Sequence, residues 1–266
     1  MLTYIVSFAV GFLVFACVRY GTDTAISWSV FWGVLALFAV QIGISLIMRK
    51  ILNKMNADIQ NIILEVQKRI QAKQDHFMRR PGDPKLMMRQ LEREQTAGIE
   101  RALEACDRFQ PLYKWNPFLK KQITTMRMAF FFQLKKFDEV DAMLPKCIFF
   151  DPQSISIKMV RMYKKNDPGL DKFFRKKVRR LRKDLCVLPV SLYAWILVKQ
   201  GKTDEAFKVL GDALKKTNDE TIQNNWQALA NKKLKQFSNA GLGESWYALG
   251  LEEPKMVKIR PQYKYR

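Results

Sequence analysis

Two long uncharged stretches near the start of the chain restrict its fold more than any other feature. Residues 1–18 contain no Asp, Glu, Lys or Arg, and residues 25–48 contain none either. As helices they would be about 27 Å and about 36 Å long, against a hydrocarbon core of ~30 Å. The second is long enough to cross with some tilt, and the first is just adequate. Between them Arg19-Tyr-Gly-Thr-Asp-Thr24 reads as a tight polar turn. Residues 1–48 are therefore expected to form a two-helix transmembrane hairpin with the lipid bilayer as partner. Tyr20, Trp28 and Trp32 fall near one interface, where amphipathic aromatic rings are favoured.

A cleaved signal peptide is the competing reading of the first stretch. It lacks a basic leading region, because Met1-Leu-Thr-Tyr4 runs straight into the apolar segment. Val14-Phe-Ala-Cys17 makes a poor lipoprotein cleavage box, with Phe15 in the wrong place. The second stretch is too long for this explanation and is followed at once by Arg49, Lys50 and Lys54. By the positive-inside rule the larger C-terminal part, and with it the short N-terminus, is expected in the cytosol. Neither stretch carries an ionisable side chain of the kind a pore or proton relay uses, so the hairpin reads as an anchor. Gly33, Gly43 and Ser45 are candidates for close helix packing.

Charge is distributed just as unevenly. The formal net charge is +21, from 46 Lys and Arg against 25 Asp and Glu. Arg19 and Asp23 cancel within residues 1–48, so the whole excess lies in residues 49–266. Such a surface attracts polyanions or anionic lipid over a Debye length. The alternative is a generally solvated basic surface.

Catalytic and metal chemistry find little material. The cysteines Cys17, Cys106, Cys147 and Cys186 are far apart in sequence, with no CxxC pair. Cys147 and Cys186 sit in apolar helical contexts, as small core residues do. His76 is the single histidine, in a polar helix, which removes multi-histidine metal sites. There is no P-loop and no nucleophile elbow. The expectation is a non-enzyme without cofactor or metal; scattered carboxylates are the one route left for acid–base chemistry.

Residues 49–80 read as one juxtamembrane helical stalk. Leu52, Met55, Ile59, Ile62 and Val66 recur at three, four, three and four residues, a short seam of heptad type. About two heptads is too few to argue for a coiled coil, so packing on the chain's own helices is favoured over a homodimeric stalk. Pro81-Gly-Asp-Pro84 ends the helix. Downstream every periodic segment is helical, and Asp83-Pro84, Asn116-Pro117 and Asp151-Pro152 look like capped helix starts. The expected fold class is all-α: the hairpin, then a solenoid of antiparallel helix pairs over 81–254, then a basic disordered tail over 255–266.

Residues 187–220 carry Tyr193-Ala194 and Leu197, then Lys199-Gln-Gly-Lys-Thr-Asp-Glu-Ala206, Leu210 and Ala213. This segment resembles the tetratricopeptide family, with small residues at Ala194, Ala206 and Ala213, where paired helices approach. Gly201 would end the first helix and Thr203 would start the second. Asn218 stands where the family closes with proline. Residues 121–154 repeat the frame through Phe131, Phe137-Asp-Glu-Val140, Leu144, Cys147 and Pro152. Val140 precedes Ala206 by two repeat lengths of the family. A degenerate unit would fill 153–186, closing its first helix at Asn166-Asp-Pro-Gly169. Trp226, Leu229 and Ala230 would open another that departs into a cap at Phe237-Ser-Asn-Ala-Gly-Leu-Gly243.

The resemblance implies a concave groove that receives a peptide or partner protein. In that frame Thr125, Ala129, Phe132 and Gln133 would line it, with Trp195 and Lys199 in the better repeat. Ser191 and Trp195 occupy two positions of the family's carboxylate clamp, which argues against binding of chaperone tails.

The segment Lys172–Leu185 is the most unusual. Phe174, Val178, Leu181 and Leu185 are expected as one apolar helical stripe. Lys172, Arg175, Lys176, Lys177, Arg179, Arg180, Arg182 and Lys183 fill the remaining faces. Like charges at helical neighbour spacing cost a few tenths of a kcal/mol per pair. An anionic partner would relieve that cost. Anionic lipid, RNA or ribonucleoprotein, and an acidic protein are the candidates. The sequence thus reads as a membrane-anchored, tetratricopeptide-like adaptor that recruits a protein at the cytosolic face. A membrane tether for RNA, ribonucleoprotein or anionic lipid is the alternative. Homodimerisation is left open.

Overall fold

The computed structural model describes residues 2–22, 25–79, 83–178, 181 and 183–254. Among them there is helix and no strand. The chain divides into two compact units, Met1–Cys147 and Ile148–Arg266.

The first unit begins with α1 (Leu2–Gly21) and α2 (Ile26–Arg79), both long and apolar enough to cross a membrane. Neither has the burial of a soluble core helix: only 17% and 6% of their most apolar windows is buried. Phe8, Phe12, Phe31, Phe38 and Ile42 all point outward. The two helices meet through glycine. A Cβ on Gly11 would lie 2.9 Å from the Gly33 carbonyl, and one on Gly33 would lie 3.0 Å from the Gly11 carbonyl. One turn further along, Ser7 Oγ donates to Gln41 Oε1 at 2.8 Å. Gly33 thus does serve helix packing, whereas nothing approaches the Cβ position of Gly43.

No element boundary separates the apolar stretch from the stalk. The 54 residues of α2 run as one helix through Arg49 and Lys50, because no proline interrupts them. Beyond the apolar part, the seam of α2 packs on α3 (Pro84–Asp107). Ile59 is buried in a cluster with Ile99, Ala102, Cys106 and Phe109, with Leu52, Met55 and Ile62 partly covered by it. Gly98 makes the approach close, since a Cβ there would collide with the Val66 side chain. Lys73 pairs with Glu94 at 2.6 Å beside this seam. A short 3-10 turn (Gln110–Lys114) leads to α4 (Pro117–Gln133), whose Leu119, Ile123 and Phe130 complete the cluster. The Trp115 carbonyl accepts a hydrogen bond from Thr3 Oγ1 at 3.2 Å. Next, α5 (Phe137–Met143) has only seven residues, shorter than the second helix of a repeat. Pro145 has no N–H to continue the ladder, so the chain passes into a 3-10 turn at Leu144–Lys146.

The second unit contains α6 (Pro152–Lys164), α7 (Leu170–Val178), α8 (Val187–Lys199), α9 (Thr203–Leu214), α10 (Glu220–Ala230) and the short α11 (Glu244–Tyr247). Helix α8 is its spine, buried at ten of 13 positions. Ala194 and Ala206 are wholly buried where α8 and α9 meet. Asn239 Nδ2 donates to the Ser191 carbonyl at 3.0 Å and its Oδ1 accepts from Asn225 Nδ2 at 2.7 Å. This pair fixes the segment after α10 onto α8.

The helix starts are capped as the Asx-Pro pairs imply. Asp83, Asn116 and Asp151 each accept a backbone N–H of the following turn, and Asp219 does the same without a proline. The ends follow one rule. Helices α4, α6, α8 and α10 stop at a left-handed residue: Lys135, Asn166, Gly201 and Lys232, at φ 58°, 52°, 77° and 54°. In each case the next N–H returns to the helix: Lys136 to Phe131, Asp167 to Met162, Lys202 to Leu197, and Lys233 to Ala228. The helices that follow the first three of these turns begin at Phe137, Leu170 and Thr203, at equal intervals along the chain.

Candidate functional site

Two groups of residues stand out in the sequence as contact surfaces: a groove-lining set and the basic segment. The groove set falls in both compact units. In the first, α4 carries Thr125, Ala129, Phe132 and Gln133. Thr125 is buried and its hydroxyl donates to the Lys121 carbonyl at 2.9 Å. Phe132 is also buried, edge-on to Phe137 at 5.7 Å between centroids. Both are structural residues rather than an open lining. Ala129 is half-buried, and Gln133 is exposed.

In the second unit Trp195 is only 7% exposed. Its indole N–H donates to Glu252 Oε1 at 2.7 Å, and the Trp246 indole donates to Glu252 Oε2 at 2.9 Å. Tyr163 and Trp246 pack edge-on against its ring. Glu252, Tyr163 and Trp246 therefore cover the Trp195 side chain. Lys199 stays exposed, with its ammonium 5.2 Å from the Trp195 ring centroid. This closure could not be read from sequence, because Glu252 lies far along the chain from Trp195 and carries no motif.

The basic segment differs from the single expected stripe. Helix α7 spans Leu170–Val178, and a separate 3-10 turn occupies Lys183–Cys186. Phe174 and Val178 are buried, but Leu185 is half-exposed and lies off that helix. Leu185 belongs instead to the 3-10 turn that leads into α8, in which Cys186 Sγ donates to the Lys183 carbonyl at 2.8 Å. Lys172, Arg175, Lys176 and Lys183 are exposed. Lys177 is held inward, donating to the Phe149 carbonyl at 3.1 Å. Arg179, Arg180 and Arg182 lie outside the described residues, as does the tail 255–266. Beside the segment, Lys158 sits over Phe149 and Phe173 at 4.7 and 4.6 Å from the ring centroids.

The titratable groups near these surfaces act as structural groups. Phe174 stacks on Tyr193 at 3.9 Å, and Tyr193 Oη donates to Asp171 Oδ1 at 2.7 Å. Burial first, and then that hydrogen bond to a carboxylate, push the Tyr193 hydroxyl far above its ordinary range. Burial raises the Cys106 thiol to about 11 and raises Cys186 as well, so both are held as neutral thiols. None of the four cysteines is in a disulfide. Among the described residues no three His, Cys, Asp or Glu side chains gather as a metal site would need. An open cleft of about 460 Å³ lies where α2 meets α3, lined by Ala72, His76, Phe77, Leu86, Met87 and Leu91 among others.

Comparison with family models, with curated proteins and with solved structures found no match.

Proposed function

We propose that this protein is a membrane-anchored helical adaptor. Helix α1 and the first half of α2 cross a bilayer as a hairpin, and the basic remainder faces the cytosol. The observation that carries this reading is the joining of two features in one chain. An outward-facing apolar hairpin continues without a break into helices whose second members start at equal intervals. That regular spacing and the full burial of Ala194 and Ala206 in the packed helices α8 and α9 support a tetratricopeptide-like plan, a plan used for protein recognition. Because Trp195, Thr125 and Phe132 are covered, the accessible faces offered to a partner are those around Gln133 in the first unit and Lys199 in the second. The exposed cations Lys172, Arg175 and Lys176 would orient the second unit or meet an acidic partner.

Two measurements test this. The intact protein should stay in the membrane pellet at alkaline pH, and protease should reach its C-terminal part only from the cytosolic side. Affinity capture from native membranes should retain the same protein partner after nuclease treatment and in high salt. Loss of all partners on nuclease treatment, with a steep salt dependence across unrelated RNAs, would replace the adaptor with an RNA tether.

A further inference from the structure

We infer that the Tyr113–Lys121 segment is a second membrane contact, which lays Trp115 and Phe118 into the headgroup layer of the bilayer that the hairpin crosses. The inference rests on the anchor reading and adds to it a lipid-binding surface far away in sequence.

The argument starts from position along the hairpin. Gly11 of α1 lies against Gly33 and Leu37 of α2, and Ser7 bonds Gln41. The helices run antiparallel, so one further turn places Thr3 opposite the residues around Ser45. Arg49 and Lys50 follow about 6–8 Å along α2. Thr3 thus marks the interface at which the apolar stretch ends, and exposed Tyr4 beside it is an aromatic of interfacial type. The Trp115 carbonyl accepts from Thr3 Oγ1. This hydrogen bond ties the turn before α4 to that same level.

The local fold then dictates what the turn presents. Phe109 is wholly buried on one side of it and Leu119 is buried on the other. Asn116 Oδ1 accepts from the Phe118 N–H at 2.9 Å, which holds the first turn of α4 rigidly. With both ends fixed inward, Phe118 is forced outward and is 58% exposed. A phenylalanine held in water on a rigid turn has no reason in packing. At the interface it has one, with the half-buried Trp115 ring beside it. Lys114, Lys120 and Lys121 flank the pair and are exposed on the described surface. Their sign matches an anionic headgroup layer and the neighbouring Arg49 and Lys50. Sequence alone hides this, because Trp115 comes long after the last apolar residue of the hairpin and is separated from it by the stalk and α3.

Site-directed spin labelling of the full chain tests the inference. The four native cysteines are replaced, and a nitroxide is placed singly at F118C, F38C or M88C. The protein is reconstituted into vesicles of phosphatidylcholine with phosphatidylglycerol. Met88 is the aqueous control: it is 59% exposed in the same unit, beside Leu86 and Met87, which line a cleft with Ala72, His76 and Phe77 at the far end of α2 from the apolar stretch. The expected result is a label at 118 that is several-fold less accessible to an aqueous nickel chelate than the label at 88, and more accessible to oxygen. The label at 38 should be shielded still more strongly. If 38 is shielded while 118 matches 88, the second contact is wrong and the anchor stands. If 38 itself is open to the chelate, both fall.

Discussion

Lys135 and Lys232 hold a backbone conformation that costs an L side chain about 1–2 kcal/mol. Gly201 holds the same conformation without that cost. Lys135→Gly and Lys232→Gly should therefore each stabilise the protein, by about 0.5–1 kcal/mol after the extra freedom glycine brings to the unfolded chain. Chemical unfolding of the full chain in detergent would show the gain, and an unchanged or lower midpoint would contradict it. Cys106 offers a second test. With its pKa raised from 9.0 to about 11 by burial, its thiolate fraction at pH 8 is roughly a hundredfold below that of the unfolded chain. Alkylation of Cys106 should be slower by at least that factor in the native protein. The linkage has a definite sign. The folded state keeps the proton longer, so this contribution to stability is present below about pH 9 and is lost as pH rises to about 11.

At the scale of elements, α2 is the unit that couples the apolar stretch to the helical part, and its close approach to α3 depends on Gly98. Gly98→Val would drive two methyl groups into Val66. The helices must separate, and overpacking of this kind costs about 1–3 kcal/mol. A fall in thermal midpoint of that order is expected, with partial recovery in the double variant Val66→Ala, Gly98→Val. The stalk seam was legible because Leu52 to Val66 repeat at helical spacing. The helix starts were legible because an Asx side chain caps and the next proline needs no partner. The length of α5 was not read from the sequence, although Pro145 is its cause. The expected stripe through Leu185 failed for a related reason: periodicity records which residues are apolar, and Leu185 lies in a 3-10 turn rather than in α7.

At the scale of the whole molecule, charge and hydropathy are segregated along the chain, and long-range contacts close each unit. Glu252 closes the second by accepting from two indoles, one of them distant in sequence. Glu252→Ala would leave the Trp195 and Trp246 N–H groups unpaired and should destabilise the unit by about 1–3 kcal/mol. It should also raise the accessibility of Trp195 to an aqueous quencher. If Trp195 stayed shielded, the C-terminal segment would not be what covers it. Among the groove residues, those left accessible are the polar ones, Gln133 and Lys199, and half-buried Ala129. The aromatic ones were drawn into the core, because a ring gains more from burial than a family frame can indicate.

Sequence by itself determined the all-helical class, the two long apolar helices near its start and the capped helix starts. These rest on local chemistry: missing charge, missing proline N–H groups, and apolar residues at helical intervals. Only the tertiary structure decided which surfaces stay open. Whether Trp195 faces a ligand or Glu252, and whether Trp115 sits in a loop or against Thr3, depends on partners that are remote along the chain. No local pattern encodes a distance closed by folding, so those pairings appear only once the helices have packed.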